Sequence, residues 1–162
     1  MPYLLAVDLG IKTGLALFDG QGRLIWYRSR NFGTANRLRR AVYGLLNELP
    51  DLQYLVLEGG GTLYNLWNRE ARRRGLDIRQ VSAEQWRTRL LKPSRQRTGT
   101  QAKRSACDLA RQVIERSGTP KPTSLRHDAA EAVLIGLWAV HEIGWLTDLK
   151  WLPGNNRRDT SP

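Results

Sequence analysis

Residues 4–30 read LLAVDLGIKTGLALFDGQGRLIWYRSR, and the fold turns on how this stretch pairs with itself. Leu4-Leu5-Ala6-Val7 is a short continuous apolar run, which reads as a buried strand over residues 3–9. Residues 14–18 and 23–30 read as two further strands. Between them Asp19-Gly20-Gln21-Gly22 is a tight-turn signal, because glycine reaches positive φ at no steric cost. The chain is expected to open as an antiparallel three-stranded meander. Asp8 is the anomaly, since a carboxylate ending an apolar strand is expensive to desolvate unless something waits to pair with it.

Outward from this stretch, strands alternate with helices. Residues 35–49 place Leu38, Val42, Leu45, Leu46 and Leu49 at helical spacing, and Pro50-Asp51 stops the pattern. Residues 53–58 form another buried strand, again closed by a carboxylate, Glu58, before the glycines at 59–61. Helical spacing returns over 63–74 with Leu63, Leu66, Trp67 and Ala71 on one face, and Gly75 ends it. A short strand is expected over 78–81. Ser82, followed three residues on by Gln85, has the pattern of a capping box opening the next helix. Residues 93–100 read as a basic loop, 101–116 as an amphipathic helix, 117–126 as a loop with Pro120 and Pro122, and 127–142 as an apolar helix that must be largely buried. This order predicts an α/β fold with a mixed central sheet, the antiparallel meander plus parallel strands, flanked by helices. One domain is expected over 1–145, followed by a flexible tail over 146–162.

The 162 residues suffice for one domain with a real core, and 41% hydrophobic with 25% charged is an ordinary globular balance. The charge is not ordinary. Lys and Arg total 26 against 15 Asp and Glu, a formal +11, which favours polyanions through counterion release and long-range attraction. Nucleic acid is the first partner to expect, ahead of an acidic protein or a membrane surface. The single Cys107 excludes an internal disulfide and a cysteine-based zinc site, and reads as an inert, partly buried thiol. No basic stretch leading into an apolar one opens the chain, and no apolar run approaches the ~18 residues of a membrane span. A cytoplasmic location without membrane attachment is expected.

The chemistry rests on four acids. If the strands ending in Asp8 and Glu58 are neighbours, both carboxylates emerge at one sheet edge. Asp128 and Glu131, three apart, share a face at the start of the apolar helix. Ala129, Ala130 and Ala132 let that helix approach a sheet closely. Four carboxylates crowded together repel, and divalent cations resolve the repulsion; hard oxygen ligands suit Mg²⁺ or Mn²⁺. Two such ions per active site would clamp an in-line phosphoryl displacement by water, with no Ser, Cys or His nucleophile required. Each acid also has a structural reading. Asp8 could bond loop amides, Asp128 could be a first-turn acid favoured by the helix dipole, and Glu131 could be solvated.

At these residues the sequence resembles the RuvC-type Holliday junction resolvases of the ribonuclease H-like superfamily. AVDLGIKTGLAL (6–17) resembles the first strand and turn, YLVLEGG (54–60) the strand bearing the second acid, GTQAKRSACDLA (99–110) the segment bringing a functional lysine, and HDAAEAVLIGLW (127–138) the last helix. The span from Val81 to Ala139, with VSAEQWRTRLL (81–91) and then AEAVLIG (130–136), resembles the plastid and phage branches. The resemblance implies a homodimer that nicks a four-way DNA junction symmetrically. It makes Asp8, Glu58, Asp128 and Glu131 metal ligands and Lys103 a phosphate contact or transition-state stabiliser. Two departures stand out. Glu131 occupies a place where many members have Asp, and Gly61 occupies the place of an aromatic wedge, the nearest aromatics being Tyr64 and Trp67.

Residues 69–104 hold twelve basic and three acidic residues. Lys92, Arg95, Arg97, Lys103 and Arg104 are expected to meet the DNA backbone, setting position more than sequence. Arg69, Arg72, Arg73 and Arg74 suit either DNA or a merely solvated helix face. Leu63, Leu66 and Trp67 suit either an isologous dimer interface or core packing. Trp86 reads as core or as a prop for the basic loop. Trp145 and Trp151 are given no role, and His127 reads as a helix N-terminal residue or a metal or phosphate contact. Rival readings are a YqgF-type RNA-processing nuclease, a non-catalytic protein that binds branched DNA, and an actin-like phosphotransferase, for which the chain is too short.

Overall fold

In a computed structural model of the chain, residues 1–150 are described, Arg95 by its backbone alone. The meander forms as expected: β1 (Tyr3–Asp8), β2 (Lys12–Asp19) and β3 (Leu24–Asn31). Its hairpin turn is built by Asp19, whose Oδ1 accepts from the N–H groups of Gln21 and Arg23, with Gly22 at φ +76°. There follow α1 (Ala35–Asn47), β4 (Leu52–Glu58), α2 (Gly61–Arg73), β5 (Asp77–Val81), α3 (Ala83–Leu90), α4 (Gly99–Ser117) and α5 (His127–Glu142). The capping box of Ser82 and Gln85 is formed at the start of α3. The stretch read as a loop over 93–100 contains a short 3-10 helix, Pro93–Arg95, and the start of α4, which Thr98 caps.

The five strands lie in the order β3-β2-β1-β4-β5, with β1–β2 and β2–β3 antiparallel and β1–β4 and β4–β5 parallel. Side chains alternate across β1, so the sheet has two cores. Leu5, Val7, Leu15, Leu17, Leu55 and Leu57 face α1 and α2, while Leu4, Ala6, Ala16, Phe18 and Val56 face α3, α4 and α5. Trp67 is buried in the first core, which answers the question left open for it in favour of core packing. Trp86 is fully buried in the second. Trp145 packs edge-on against Tyr54, with ring centroids 5.3 Å apart.

Beyond α5, Leu146 packs on the second core and Leu149 is buried, whereas residues 151–162, Trp151 included, lie outside the described residues. Cys107 is half-buried, and burial raises its thiol pKa. Among the described residues no helix is long and apolar enough to cross a membrane.

Candidate active site

Register places the site. Asp8 pairs with Glu58 across the parallel β1–β4 ladder and with Gly14 across the antiparallel β1–β2 ladder, and Gly14 pairs with Ser29 on β3. Alternation from Ala6, Ala16, Val56 and Tyr27 puts all four residues on the face covered by α5. The result is a row across four strands, Glu58–Asp8–Gly14–Ser29, at the end of the sheet where β1 and β4 finish.

The N-terminal turn of α5 lies on this row. A Cβ at Gly14 would fall onto the Asp128 carbonyl, so only glycine lets the helix approach so closely. About two turns further along the same contact, a Cβ at Gly136 would run into the Phe18 ring. Astride Gly14, the two acids of α5 part company. Glu131, only 5% exposed, joins Asp8 and Glu58, and one carboxylate oxygen from each of these three lies within 4.8 Å of the others. Asp128 reaches the other way: both its oxygens accept from Ser29 Oγ, at 2.8 and 2.7 Å. Of the four acids expected to act together, the structure brings three to one point and holds the fourth beside them on the hydroxyl of β3.

The three-acid cluster is electrostatically uncomfortable. Burial pushes the Asp8 carboxyl up to about 8, and repulsion from Glu131, Glu58 and Asp128 adds to it. Glu58 is raised too, by burial and then by Glu131. Against this stands Arg87 of α3, whose Nη2 donates to Glu131 Oε1 at 2.6 Å and whose charge draws both other pKa values down. His127 Nε2 lies 3.0 Å from the same Glu131 oxygen. The Trp86 indole N–H also draws Glu58 down without closing a hydrogen bond, since Trp86 Nε1 and Glu58 Oε2 are both buried and unpartnered among the described residues. An orphaned carboxylate oxygen beside two more acids suits a hard divalent cation. Asp8, Glu58 and Glu131 are the residues that could hold one.

Two clefts open beside the cluster. One, of about 490 Å³, runs past Glu58, Gly59, Gly60, Gln80 and Ser82. The other, of about 960 Å³, is lined by Lys12, Ser29, Asn31, Lys103, Arg126 and Asp128 among others. Lys103 therefore stands across the cleft that Asp128 lines. Lys92 lies elsewhere, in a small crevice with Ser105, Asp108 and Gln112. Arg97 and Arg104 are exposed, and the Arg95 side chain lies outside the described residues.

Arg87 and Ser29 were missed by sequence reasoning. Arg87 is one of twelve basic residues in 69–104, and nothing in its spacing separates it from the others. The available signal for Ser29 was alternation: it sits two residues beyond Tyr27, on the face where Asp8 ends β1.

No protein-family model matches the chain, and no curated protein matches it in sequence. Among solved structures it is similar to T. thermophilus RuvC in complex with a Holliday junction substrate, with a TM-score of 0.62 at 14% identity, covering 90% of this chain and 98% of that one. The likeness shows a fold shared with that RuvC, a mixed five-stranded sheet flanked by helices, as the sequence resemblance implied. An intasome of simian T-cell lymphotropic virus in complex with PP2A regulatory subunit B56 gamma aligns with a TM-score of only 0.31 at 11% identity, over 86% of this chain and 48% of that one, too little to carry an argument.

Proposed function

We propose that this protein is a metal-dependent endonuclease that resolves four-way DNA junctions. The observation that carries the reading is the meeting of Asp8, Glu58 and Glu131 at the end of the central strands, within a fold similar to a RuvC described in complex with a Holliday junction. These three carboxylates would hold Mg²⁺ or Mn²⁺, and Asp128, one helical turn from Glu131, would complete a site for two ions. When bound, such ions supply Lewis-acid stabilisation for hydrolysis of a phosphodiester by water.

The chain's own residues do the rest. The cleft shared by Lys12, Lys103 and Arg126 offers cations to a phosphate backbone beside the acids, and Lys103 is suited to contact the phosphate under attack. Exposed Arg97 and Arg104, together with Arg95 and Lys92, extend a backbone-binding surface that fits the +11 charge. Symmetric paired nicks need two active sites, hence a homodimer, and the half-buried Leu63 and Leu66 of α2 are available for it. In this reading residues 1–145 form the nuclease domain, with Leu146 and Leu149 of the following stretch packed against it, and the setting is cytoplasmic.

The test compares a synthetic four-way junction, a linear duplex and RNA, each with Mn²⁺ and with EDTA. Cutting of the junction alone, dependent on metal and abolished by Asp8→Asn with junction binding retained, is expected. Preference for RNA overturns the junction assignment, and binding indifferent to both metal and Asp8→Asn, with no cutting, overturns the enzyme.

A further inference from the structure

Arg87 is a guanidinium placed inside an acidic cluster. It comes from α3, the helix pinned at its start by the Ser82–Gln85 capping box, and it follows directly on Trp86, whose fully buried indole fixes that helix in the second core. The dipeptide thus reaches two carboxylates on different elements: Trp86 influences Glu58 of β4, and Arg87 bonds Glu131 of α5 at 2.6 Å. The Arg87 side chain is 31% exposed, Glu131's only 7%. The guanidinium carbon also lies 5.1 Å over the Trp86 ring. Its fork is only partly used, however. Nε is buried with no acceptor among the described residues, an unusual omission for a group that normally makes several charge-assisted bonds.

We infer that Arg87 is a positioning residue that serves as the resident cation of the acidic centre: it holds Glu131 beside Asp8 and Glu58 while metal is absent, and gives up that carboxylate when metal binds. The inference rests on the metal-centre reading above and deepens it. The physical reason is direct. Three converging carboxylates are held together at a high electrostatic cost, and a single internal positive charge lowers that cost without a bound ion. The same contact occupies an oxygen of a ligand residue, so Arg87 and a divalent cation compete for Glu131. The unpartnered Nε leaves the guanidinium without the second anchor that would keep it there.

Mn²⁺ serves as the probe, with its binding followed by titration calorimetry and thermal melting recorded in EDTA and in Mn²⁺. Arg87→Gln should melt several degrees below wild type in EDTA, recover most of that loss in Mn²⁺, and bind Mn²⁺ about tenfold more tightly, the worth of one hydrogen bond between charged groups. Arg87→Lys, which keeps the charge but not the fork, should tighten binding about threefold, and it carries the test if the glutamine variant does not fold. Arg89→Gln removes the same charge from the same helix at an exposed site facing His141, and should leave Mn²⁺ affinity at the wild-type value. Unchanged or weaker Mn²⁺ binding in the Arg87 variants overturns the inference, as does equal tightening by Arg89→Gln. A wild-type protein that takes up no Mn²⁺ overturns the metal-centre reading as well, so the two failures are told apart.

Discussion

Gly14 divides the row Glu58–Asp8–Gly14–Ser29 into two halves that treat the same chemistry differently. On one side Asp8, Glu58 and Glu131 converge, with the Asp8 and Glu58 carboxyls pushed up by burial and by repulsion from Glu131, and Glu58 Oε2 is unpartnered among the described residues. On the other, Asp128 rests on a neutral hydroxyl, both oxygens within 2.8 Å of Ser29 Oγ. The first half carries a charge imbalance that the Arg87 guanidinium relieves through Glu131, with His127 Nε2 3.0 Å from the same oxygen. The second has the Ser29 hydroxyl bonded to Asp128. Asp128 is also the weakest of the three repulsions raising Asp8, as expected of an acid turned away from the cluster. One helical turn therefore supplies an acid to each half, and the strand beneath decides which is left in need of a cation.

The sharpest way to break the contrast is Asp8→Asn. In Mn²⁺ it should lower junction cutting by about 10³-fold or more, the scale for losing a principal electrostatic element of an active site, while a gel-shift in EDTA shows junction binding unchanged. Gly14→Ala comes next. A methyl group pressed onto the Asp128 carbonyl forces α5 away from the sheet, for about 1–3 kcal/mol of stability by denaturant melting, with Mn²⁺ binding weakened because Glu131 moves with the helix.

A pH series separates the halves further. Asp8 keeps its proton more strongly folded than unfolded, so its contribution destabilises the metal-free protein progressively as pH rises from the ordinary 3.8 towards about 8, and is constant above that. In EDTA, the melting temperature of Asp8→Asn relative to wild type should climb with pH up to about 8 and then level off; a flat difference would mean that the acid is not buried among like charges. The smallest effect belongs to the quiet half. Ser29→Ala should cost about 1 kcal/mol in melting experiments and change cutting by less than about threefold, since Asp128 loses a hydroxyl donor and keeps its charge.

Much of this was legible in the residues. The apolar run of β1, the Asp19–Gly22 turn, the acid-terminated strands and the small-residue face of α5 each express a local rule, and the elements form where those rules place them. Boundaries moved at two helix starts: α2 begins at Gly61, ahead of its apolar stripe and with no side-chain cap, and α4 begins at Gly99, where the Thr98 side chain accepts from the Gln101 N–H. The even division of Trp67 between core and interface could not be decided from spacing, because an apolar helix stripe looks the same whichever surface covers it. The separation of Asp128 from its three fellows was equally hidden. It depends on Ser29 facing the helix, and the β2–β3 register carries a one-residue irregularity between Leu17 and Phe18; a slip of one residue would turn Ser29 to the opposite face.

By itself the sequence determined a mixed α/β sheet, a strongly basic protein and acids at the ends of two central strands and at the start of the last helix, because these follow from hydrophobic period, turn chemistry and composition, all of which are local along the chain. Only the tertiary structure decided that three acids meet while the fourth bonds Ser29, and that Arg87 is the basic residue of its region that bonds into the cluster among the described residues. Those outcomes depend on register, on the close approach at Gly14 and on which helix face the core claims, and no residue encodes them without its distant neighbours.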